Sequence, residues 1–457
     1  MNVPRSIFRQ YDIRGVVGRE LTPALARALG RAYATLGWLR VGRAPTLVVG
    51  QDNRPSGAAL AGAVRAGIAE TGGTAIDVGQ LPTPALYFAV HALTADGGMQ
   101  VTGSHNPPEF NGFKMVLAGE TLHSEDIQQL HEIIALEQWH LPAAPGGESA
   151  DLSILSRYRA AIIEHHRLRR PVRVVVDCGN GVGSLIAVAT LEGLGAEVIP
   201  LFCESDGTFP NHHPDPTVLE NLRDLQSAVR RTGAELGIAF DGDADRIGAV
   251  DEAGQVIYGD QLLVLYGRDA VRRFGAGIPV IFDVKCSEVL PVALRSAGAV
   301  PEMWKTGHSL IKARMKELAA PLAGEMSGHM FCGGDWYGFD DALFGAARLL
   351  EIVAAGPGGL GALLADLPRT FATPEIRFDC PEEKKFALVE QASKHFAARY
   401  PVNGIDGVRM TFKNGWGLIR ASNTQPVLVL RFEATSEAEL EEYQAEVMGW
   451  LEQAMGS

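Results

Sequence analysis

The sequence predicts an α/β protein with three similar α/β domains, whose mixed sheets are largely parallel, and a C-terminal α+β domain with an antiparallel sheet. Three observations predict this class. The 457 residues are enough for about three or four domains, at roughly 100–200 residues each. Strand-like and helix-like segments alternate in three successive rounds, which is typical of parallel βαβ units. The last part of the chain lacks this alternation and contains neighbouring strand-like segments.

Composition and charge limit the classes of function. Apolar residues make up 46% of the chain and charged residues 21%, as in an average soluble globular protein, which excludes disordered and fibrous classes. The formal net charge is −13 and no long basic run is present, so we expect no binding to nucleic acid or to an anionic membrane surface. A small anionic substrate is compatible with this charge, because a local pocket can be positive within an acidic protein.

The cysteines and the N-terminal segment indicate a reducing compartment. The five cysteines are scattered and odd in number and have no metal-ligand spacing, so we expect neither a disulfide framework nor a zinc site. The N-terminal segment lacks the apolar stretch of a signal peptide, and no segment is long and apolar enough for a transmembrane helix. We therefore expect a cytoplasmic protein.

The first round occupies residues 1–149. Its pattern predicts, in order, a strand over 44–52, a helix over 56–72, a strand over 74–80 and a strand over 97–104. Thr83 followed by Pro84 predicts a further helix before the last strand, with Thr83 as N-cap and Pro84 at the first helical position. The segment 141–153 is rich in Ala, Pro and Gly and is predicted to be a linker.

The second and third rounds occupy residues 150–255 and 256–367. The second is predicted to contain a strand over 173–181, a helix from Ser184, a strand over 196–202, a helix over 217–231 and a strand over 235–240. The third is predicted to contain a helix from Gln261, a strand over 279–286, a helix, a strand over 300–306, a helix from Ser309 and a strand over 321–329. Ligands of open α/β sheets bind at the carboxyl ends of strands, so the loops at these ends should carry the chemistry.

The C-terminal part, residues 368–457, has a different pattern. It predicts a strand over 373–380, a helix over 382–399, two strands around Asn414 and Gly415, a strand over 426–435 and a final amphipathic helix. This order of elements indicates an antiparallel α+β domain.

The strand over 97–104 runs into a loop that begins at Thr102 and contains Ser104, which lies between a glycine and a turn stiffened by two prolines. This position should project the serine hydroxyl rigidly. Lys114 follows ten residues later in the chain. An ordinary Ser/Asn turn is the alternative interpretation of this segment.

The loop after the strand over 235–240 contains three carboxylates at alternate positions, Asp241, Asp243 and Asp245, followed by Arg246. Their oxygens can converge on one hard cation, and Mg²⁺ is the usual cation beside phosphate. An EF-hand loop is excluded, because Arg246 stands where that loop requires Gly and because a strand precedes the segment. A solvated acidic turn is the remaining alternative.

The third loop contains Glu325, Ser327 and His329, and His308 follows the strand before it. Glu325 and Ser327 are two residues apart, so their side chains should point the same way and could hold neighbouring hydroxyls of a sugar. A single histidine is usually structural, but two histidines in adjacent strand-end loops favour acid/base chemistry.

The fourth loop connects two strands of the last domain and contains Arg420, Ser422, Asn423 and Thr424. A guanidinium, two hydroxyls, an amide and the backbone N–H groups of a turn would together bind a phosphate. A polar turn without a ligand is the alternative.

Taken together, the four loops resemble those of the α-D-phosphohexomutase family. TGSHNPPEFNGFK is similar to the family's phosphoserine loop, DGDADR to its metal loop, GEMSGH to its sugar loop and RASNTQP to its phosphate loop. The loops occur in the family's order, and the resemblance extends from the YDIRG signature at residues 11–15 to the last helix. The sugar loop and its flanks are most similar to the bacterial phosphomannomutase/phosphoglucomutase branch.

The resemblance implies four domains around a central cleft and an enzyme that interconverts hexose 1-phosphates and 6-phosphates of mannose, glucose or both. It implies a phosphoserine, a hexose 1,6-bisphosphate intermediate and a monomeric enzyme. One Mg²⁺ would be bound by Ser104, Asp241, Asp243 and Asp245. The implied catalytic residues are Ser104, Lys114, His329, His308, Arg246 and Arg14. The implied substrate-binding residues are Tyr11, Lys285, His308, Glu325, Ser327, His329, Arg420, Ser422, Asn423 and Thr424.

Among the catalytic residues, Lys114 and His329 are the candidates for general acid and base, followed by His308. Two positions depart from the family's pattern. Ala244 stands where Gly is usual, so we expect a negative φ at this position, which Ala tolerates. Gln425 replaces the more usual Thr in the phosphate loop.

Three other functions stay open at this point. Phosphoglucosamine mutases, which belong to the same family, usually have Gln where Met326 stands. A phosphoserine-dependent sugar phosphatase could use the same serine and cation, but it would have no use for a sugar loop that serves two substrate orientations. A non-catalytic sugar-phosphate-binding protein would have no need of Ser104 or the three aspartates.

Overall fold

The structure is a computed structural model and describes residues 3–422 and 426–456. The chain forms four successive sheets, and helices pack against each of them. The first three sheets mix parallel and antiparallel pairs, and the fourth is antiparallel throughout. The predicted fold class is therefore confirmed.

The first sheet has the order β1-β5-β4-β2-β3-β7, with β6 beside β5. Its strands are β1 Ile13–Val16, β2 Thr46–Gln51, β3 Thr74–Gln80, β4 Gly97–Val101, β5 Phe110–Leu117, β6 Glu120–Thr121 and β7 Glu148–Ala150. Its helices are α1 Pro23–Val41, α2 Gly57–Glu70, α3 Thr83–Ala92 and α4 Glu125–Leu136.

Helix α1 illustrates how local chemistry sets the limits of an element. The hydroxyl of Thr22 accepts a hydrogen bond from the backbone N–H of Leu25 at 3.2 Å, and Pro23 occupies the first turn. Both features are typical of a helix start. The helix ends at Gly42, whose φ of 70° is readily available only to glycine.

Two predictions for the first domain are wrong in detail. Thr83 is the first residue of α3 and does not cap it, because its hydroxyl donates to Oδ2 of Asp243 at 2.6 Å instead. The predicted linker over 141–153 contains β7, which extends the sheet by pairing parallel with β3. An edge strand can form through main-chain hydrogen bonds alone, without the alternating apolar side chains by which a strand is predicted. The Ala, Pro and Gly content of this segment therefore suggested a linker.

The second sheet has the order β12-β11-β10-β8-β9. Its elements are α5 Ile154–His165, β8 Arg173–Asp177, α6 Ala187–Gly193, β9 Glu197–Leu201, α7 Arg223–Thr232, β10 Leu236–Phe240, β11 Ile247–Asp251 and β12 Val256–Ile257.

The third sheet has the order β14-β13-β15-β16. Its elements are α8 Gly259–Phe274, β13 Pro279–Asp283, α9 Val289–Ala297, β14 Val300–Trp304, α10 His308–Leu318, β15 Leu322–Gly324, β16 Met330–Cys332 and α11 Ala342–Ala355.

The fourth sheet has the order β17-β22-β21-β20-β19, with β18 beside β22. Its elements are β17 Phe371–Ala372, β18 Ile376–Asp379, α12 Lys385–Ala397, β19 Val402–Asn403, β20 Val408–Phe412, β21 Gly415–Ala421, β22 Val427–Ala434 and α13 Glu437–Gly456.

The apolar cores show how the domains are joined. One continuous core includes α3 of the first domain and both the second and the third sheets. The fourth domain has its own core and meets the third through a small cluster of Val284, Trp416 and Leu418. The first three domains therefore share more buried apolar contact than the third and fourth do. Across residues 3–422 and 426–456, no helix combines the length and apolar character that a bilayer span needs.

Candidate active site

One cleft brings together loops from all four domains. It has a volume of about 1220 Å³, and its walls include Ser104, Arg246, Glu325 and Arg420, one residue from each successive domain. Ser104 follows β4, Arg246 follows β10, Glu325 follows β15, and Arg420 lies on β21. The carboxyl ends of the parallel strands place the first three loops on the same cleft.

Ser104 is almost fully buried at the bottom of this cleft, with 2% of its surface exposed. Its hydroxyl donates to Oδ2 of Asp241 at 2.8 Å and lies 3.1 Å from Nδ1 of His105. The serine oxygen and the metal loop are thus in direct contact, although the two residues are far apart in the chain.

Asp241, Asp243 and Asp245 form a buried carboxylate cluster in which the ligand atoms all lie within 4.8 Å of one another. Burial, followed by the neighbouring carboxylates, raises the pKa of Asp241 and of Asp245. One oxygen each of Asp243 and Asp245 is buried without a hydrogen-bond partner among the described residues. Oxygen ligands that converge in this way fit a hard divalent cation, which would offset their repulsion and bind the unpartnered oxygens.

Lys114 lies on β5, a strand that the sequence analysis did not predict, and its ammonium reaches the aspartates. Nζ is 2.7 Å from Oδ2 of Asp243 and also bonds to Asp245. Burial opposes its charge, but Asp243, Asp245 and Asp241 outweigh burial and raise the pKa of Lys114. Lys114 is therefore protonated, and in this state it can donate a proton but cannot accept one.

His329 is neutral and faces Arg246. Burial, followed by the charge of Arg246, lowers the pKa of His329 to about 4. Nε2 accepts a hydrogen bond from Nε of Arg246 at 3.0 Å, and Nδ1 donates to the backbone oxygen of Asp245 at 3.2 Å. These partners assign the proton to Nδ1 and leave the lone pair on Nε2.

His308, the first residue of α10, stacks against His329 with ring centroids 5.8 Å apart. Burial and the ammonium of Lys312 lower the pKa of His308. Asp340 contacts both rings, with Oδ2 3.5 Å from Nδ1 of His308 and 3.4 Å from Nδ1 of His329. No sequence motif marks Asp340, because it follows an irregular segment.

The sugar loop presents Glu325 and Ser327 on the same side, where they are joined by a hydrogen bond. The Ser327 hydroxyl donates to Oε2 of Glu325 at 3.0 Å, and Oε1 accepts the backbone N–H of Gly307 at 2.7 Å. Both residues line the cleft. This geometry agrees with the side-chain direction expected from their spacing.

The phosphate loop and its surroundings contribute positive charge. Nε of Arg420 lies 3.1 Å from Oδ2 of Asp406, and Nζ of Lys285 lies 3.1 Å from Oε2 of Glu375. The Tyr11 hydroxyl donates to the backbone oxygen of Thr306 at 2.9 Å. Tyr11, Lys285, Arg420 and Ser422 all line the cleft. The predictions for Asn423 and Thr424, and the departure at Gln425, fall outside the described residues.

Arg14 lines the opposite part of the cleft, beside the serine loop. One of its terminal nitrogens donates to Oδ1 of Asn106 at 2.8 Å, and the other to Oδ2 of Asp12 at 2.5 Å. A guanidinium in this position places positive charge next to the loop that carries Ser104.

The expectation that Ala244 has a negative φ is wrong, because its φ is 56°. The metal loop imposes this value: the N–H of Ala244 donates to the carbonyl oxygen of Asp241 at 3.0 Å, in a turn that brings Asp245 back to Asp241. A left-handed alanine costs about 1 kcal/mol relative to glycine. The buried methyl group, which packs in the shared core, offsets part of this cost.

Known proteins share this fold. Models of the phosphoglucomutase/phosphomannomutase family match the chain as α/β/α domain I over residues 5–140, domain II over 156–254, domain III over 258–371 and the C-terminal domain over 375–449. The structure also resembles pp63/parafusin, a phosphoglucomutase from Paramecium, with a TM-score of 0.76 over 98% of this chain and 95% of that one; at 15% identity this shows the fold alone.

Closer relatives cover nearly the whole chain. The phosphomannomutase/phosphoglucomutase of Pseudomonas aeruginosa is 48% identical over 96% of this chain and 94% of its own length. The phosphoglucomutase of Neisseria gonorrhoeae is 44% identical over 97% of this chain and 96% of its own. A crystal structure from this family from Burkholderia thailandensis superposes with a TM-score of 0.91 at 42% identity, over 99% of this chain and 98% of that one. The chain belongs to the phosphoglucomutase/phosphomannomutase family.

Proposed function

We propose that this protein is a phosphohexomutase that interconverts the 1-phosphate and 6-phosphate of mannose, glucose or both. The observation that carries the proposal is the contact between the Ser104 hydroxyl and Asp241, inside a cleft that also holds the sugar and phosphate loops. A serine beside a carboxylate cluster can carry a phosphoryl group next to a cation, and a large cleft can accept a sugar phosphate in two orientations.

In the proposed reaction a hydroxyl of the hexose phosphate attacks the phosphorus of phosphorylated Ser104. The bond between phosphorus and the serine oxygen breaks, and the hydroxyl loses its proton to a base. The resulting hexose 1,6-bisphosphate turns over in the cleft and returns its other phosphoryl group to Ser104. Mg²⁺ would be held by Asp241, Asp243, Asp245 and an oxygen at Ser104. The cation would neutralise negative charge at the transferred phosphoryl group.

We assign the base to His329 and the acid to Lys114. His329 has a lone pair at Nε2 and stays neutral above a pH of about 4. Lys114 carries a proton beside the metal loop, and because Asp243 and Asp245 hold that proton, its release would depend on a cation that neutralises these carboxylates. Because Nε2 now accepts a bond from Arg246, proton transfer requires Arg246 to turn towards the phosphoryl group, whose charge would attract it. His308, which stacks on His329, is the second candidate for the general acid or base.

The remaining polar residues would bind the substrate. Glu325 and Ser327 would accept and donate hydrogen bonds to ring hydroxyls. Arg14 and Arg246 would add positive charge around the transferred group. The phosphate that does not react would be held by Tyr11, Lys285, Arg420, Ser422, Asn423 and Thr424. We further propose domain limits at residues 1–149, 150–255, 256–367 and 368–457, and a monomer in the cytoplasm.

Turnover and intact mass test the proposal together. Purified protein should contain a fraction heavier by one phosphoryl group, located on Ser104. With a trace of glucose 1,6-bisphosphate it should convert mannose 1-phosphate and glucose 1-phosphate to their 6-phosphates. Release of inorganic phosphate without isomerisation would indicate a phosphatase. Turnover confined to glucosamine phosphates would indicate a phosphoglucosamine mutase, and binding without turnover a non-catalytic protein.

The cation is tested at Asp243. Asp243→Asn removes one negative charge from the cluster, so affinity for Mg²⁺ should fall at least about tenfold, and the turnover rate should fall with it. Calorimetric titration measures the affinity independently of turnover. Asp206→Asn, in an exposed turn, is the matched control and should change neither the Mg²⁺ affinity nor the turnover rate. An unchanged Mg²⁺ affinity in Asp243→Asn would remove this residue from the metal site.

A further inference from the structure

The loop between β4 and β5 holds Ser104 in an unusual conformation. The φ of Ser104 is 49°, in the left-handed region. This conformation is unfavourable for any residue with a Cβ atom and persists only where the surrounding contacts impose it. Within the loop, the N–H of Ser104 donates to the Thr102 hydroxyl at 2.9 Å and the N–H of Asn106 to the Gly103 oxygen at 3.0 Å. These two bonds leave most of its carbonyl oxygens to be bound by other parts of the fold.

Arg54 binds three carbonyl oxygens of the loop and that of Phe110, the first residue of β5. One terminal nitrogen donates to the oxygens of Ser104 at 2.7 Å and Asn106 at 2.6 Å. The other donates to the oxygens of Pro107 at 2.6 Å and Phe110 at 3.0 Å. The guanidinium thus contacts the loop along most of its length.

Asp52 orients Arg54 and fixes the start of the same loop. Nε of Arg54 lies 3.1 Å from Oδ2 of Asp52, and this oxygen also accepts the hydroxyl of Thr102 at 2.7 Å and the N–H of Gly103 at 3.1 Å. The side chains of Arg54 and Asp52 are 0% and 1% exposed. Neither residue lines the cleft.

Two glycines allow Arg54 to lie this close to the loop. A Cβ atom on Gly103 would lie 2.5 Å from Cζ of Arg54, and one on Gly207 would lie 2.7 Å from its Cα. Phe209 covers the guanidinium, with the ring centroid 5.0 Å from Cζ. Because Gly207 and Phe209 precede β10 of the second sheet, Arg54 is enclosed between two domains.

We propose that Arg54 is a positioning residue for phosphoryl transfer, which holds the loop so that the Ser104 oxygen faces Asp241. The inference rests on the proposed function, since it concerns the same phosphoserine. Arg54 contacts no reacting atom. The four carbonyl oxygens that it binds are kept away from the phosphoryl oxygens, which they would repel. Only a planar guanidinium presents enough fixed donors for this set of bonds, so lysine cannot replace it.

The test measures kcat and KM separately in Arg54→Lys and Arg54→Met. We expect kcat to fall about 10- to 100-fold, because a small misplacement of the reacting oxygen is enough for such a loss. KM for glucose 1-phosphate should change less than about threefold, because Arg54 lies outside the cleft. Phosphorylation of Ser104 by glucose 1,6-bisphosphate, followed by intact mass, should slow by the same factor as kcat.

Arg348→Lys is the matched control. Arg348 lies on α11 of the third domain and is 3% exposed. One of its terminal nitrogens donates to Oδ2 of Asp335 at 2.7 Å, and none of its hydrogen bonds among the described residues is to the serine loop. This variant should lower the midpoint of thermal unfolding as Arg54→Lys does, but its kcat per folded molecule should stay within about twofold of wild type. If both Arg54 variants fail to fold, Asp52→Asn keeps the guanidinium and should lower kcat about 3- to 10-fold.

Two results would overturn the inference. One is a kcat near the wild-type value in a folded Arg54 variant, and the other is a loss of turnover explained entirely by the unfolded fraction. Failure of the proposed function would look different, since wild-type protein itself would then carry no phosphoserine and convert no hexose phosphate.

Discussion

At the scale of single residues, the site depends on charges that are buried next to one another. Lys114 is protonated because three carboxylates surround it, and His329 is neutral because Arg246 and burial oppose a second positive charge. Exposed to water, Lys114 would still be protonated, but His329 would titrate near neutral pH and would have no single protonation state. The environment therefore assigns acid and base roles that residue type alone leaves open.

Ser104→Ala tests the nucleophile. We expect no phosphoserine and a loss of turnover of more than about 1000-fold, as is usual when a covalent nucleophile is removed. Alanine can adopt the same φ, and the lost bond to Asp241 costs about 1 kcal/mol, so the protein should stay folded. Intact mass and the midpoint of thermal unfolding measure both effects. Ser205→Ala, at an exposed position, should retain phosphorylation and turnover. Near-wild-type turnover in Ser104→Ala would contradict a covalent mechanism.

At the scale of elements, strand ends and the loops after them determine what the site can bind. The metal loop turns sharply between β10 and β11, so that Asp241 and Asp245 face the same point. The phosphate loop instead follows β21, which pairs antiparallel with β22 from Gly415 to Ala421 and thereby fixes the position of Arg420. Converging carboxylates suit a cation, and a guanidinium held on a paired strand suits a phosphate.

Ala244→Val tests the turn of the metal loop. A β-branched residue at a φ of 56° is strained, and the Ala244 methyl group is fully buried in the shared core, so two more methyl groups would overpack it. We expect a loss of stability of about 2–4 kcal/mol. Ala244→Gly relieves the strain and serves as the control, with a change below about 1 kcal/mol. Thermal unfolding with and without Mg²⁺ measures the stability of both variants. Equal unfolding midpoints for Ala244→Val and Ala244→Gly would contradict the strain argument.

Arg420→Ala tests the phosphate loop. If Arg420 holds the phosphate that does not react, it serves both directions of the reaction. A charge-assisted bond to phosphate contributes about 1.5–3 kcal/mol, so kcat/KM should fall about 10- to 150-fold. Arg420→Lys should recover only part of the loss. The loss should be similar for glucose and mannose phosphates, which differ at C2. Strong discrimination between these two sugars would place Arg420 against the ring instead.

At the scale of the whole molecule, the cleft exists only because four domains keep their relative positions. The second and third domains share one apolar core that also includes α3 of the first, whereas the fourth domain contacts the third through few apolar residues and two buried arginines, Arg409 and Arg431. Polar and ionic contacts also join α5 to α11, where His166 lies 2.9 Å from Glu351. Such contacts between domains make stability sensitive to pH.

His166→Gln tests this sensitivity. Burial lowers the pKa of His166 below its value of about 6.5 in the unfolded chain, although Glu351 opposes the change. Between these two pKa values the unfolded state binds more protons than the folded state does, so the contribution of His166 to stability is present above about pH 6.5 and decreases as the pH falls. The difference in thermal midpoint between wild type and His166→Gln should therefore shrink from about pH 7.5 to pH 5. A constant difference over this range would contradict the assignment.

The sequence by itself determined the alternation of strands and helices in three rounds and the residue types at the strand ends, including Ser104, the three aspartates and Arg420, but not helices α1 and α11 or strand β5. These features depend on short-range periodicity and turn chemistry, which a single chain displays directly. Tertiary structure alone decided that Thr83 binds Asp243 instead of capping α3, that Lys114 lies on a strand against the metal loop, and that Ala244 is left-handed. The reason is physical: pairing, burial and pKa values depend on residues that are distant in the chain, and no local pattern records which distant group will be adjacent.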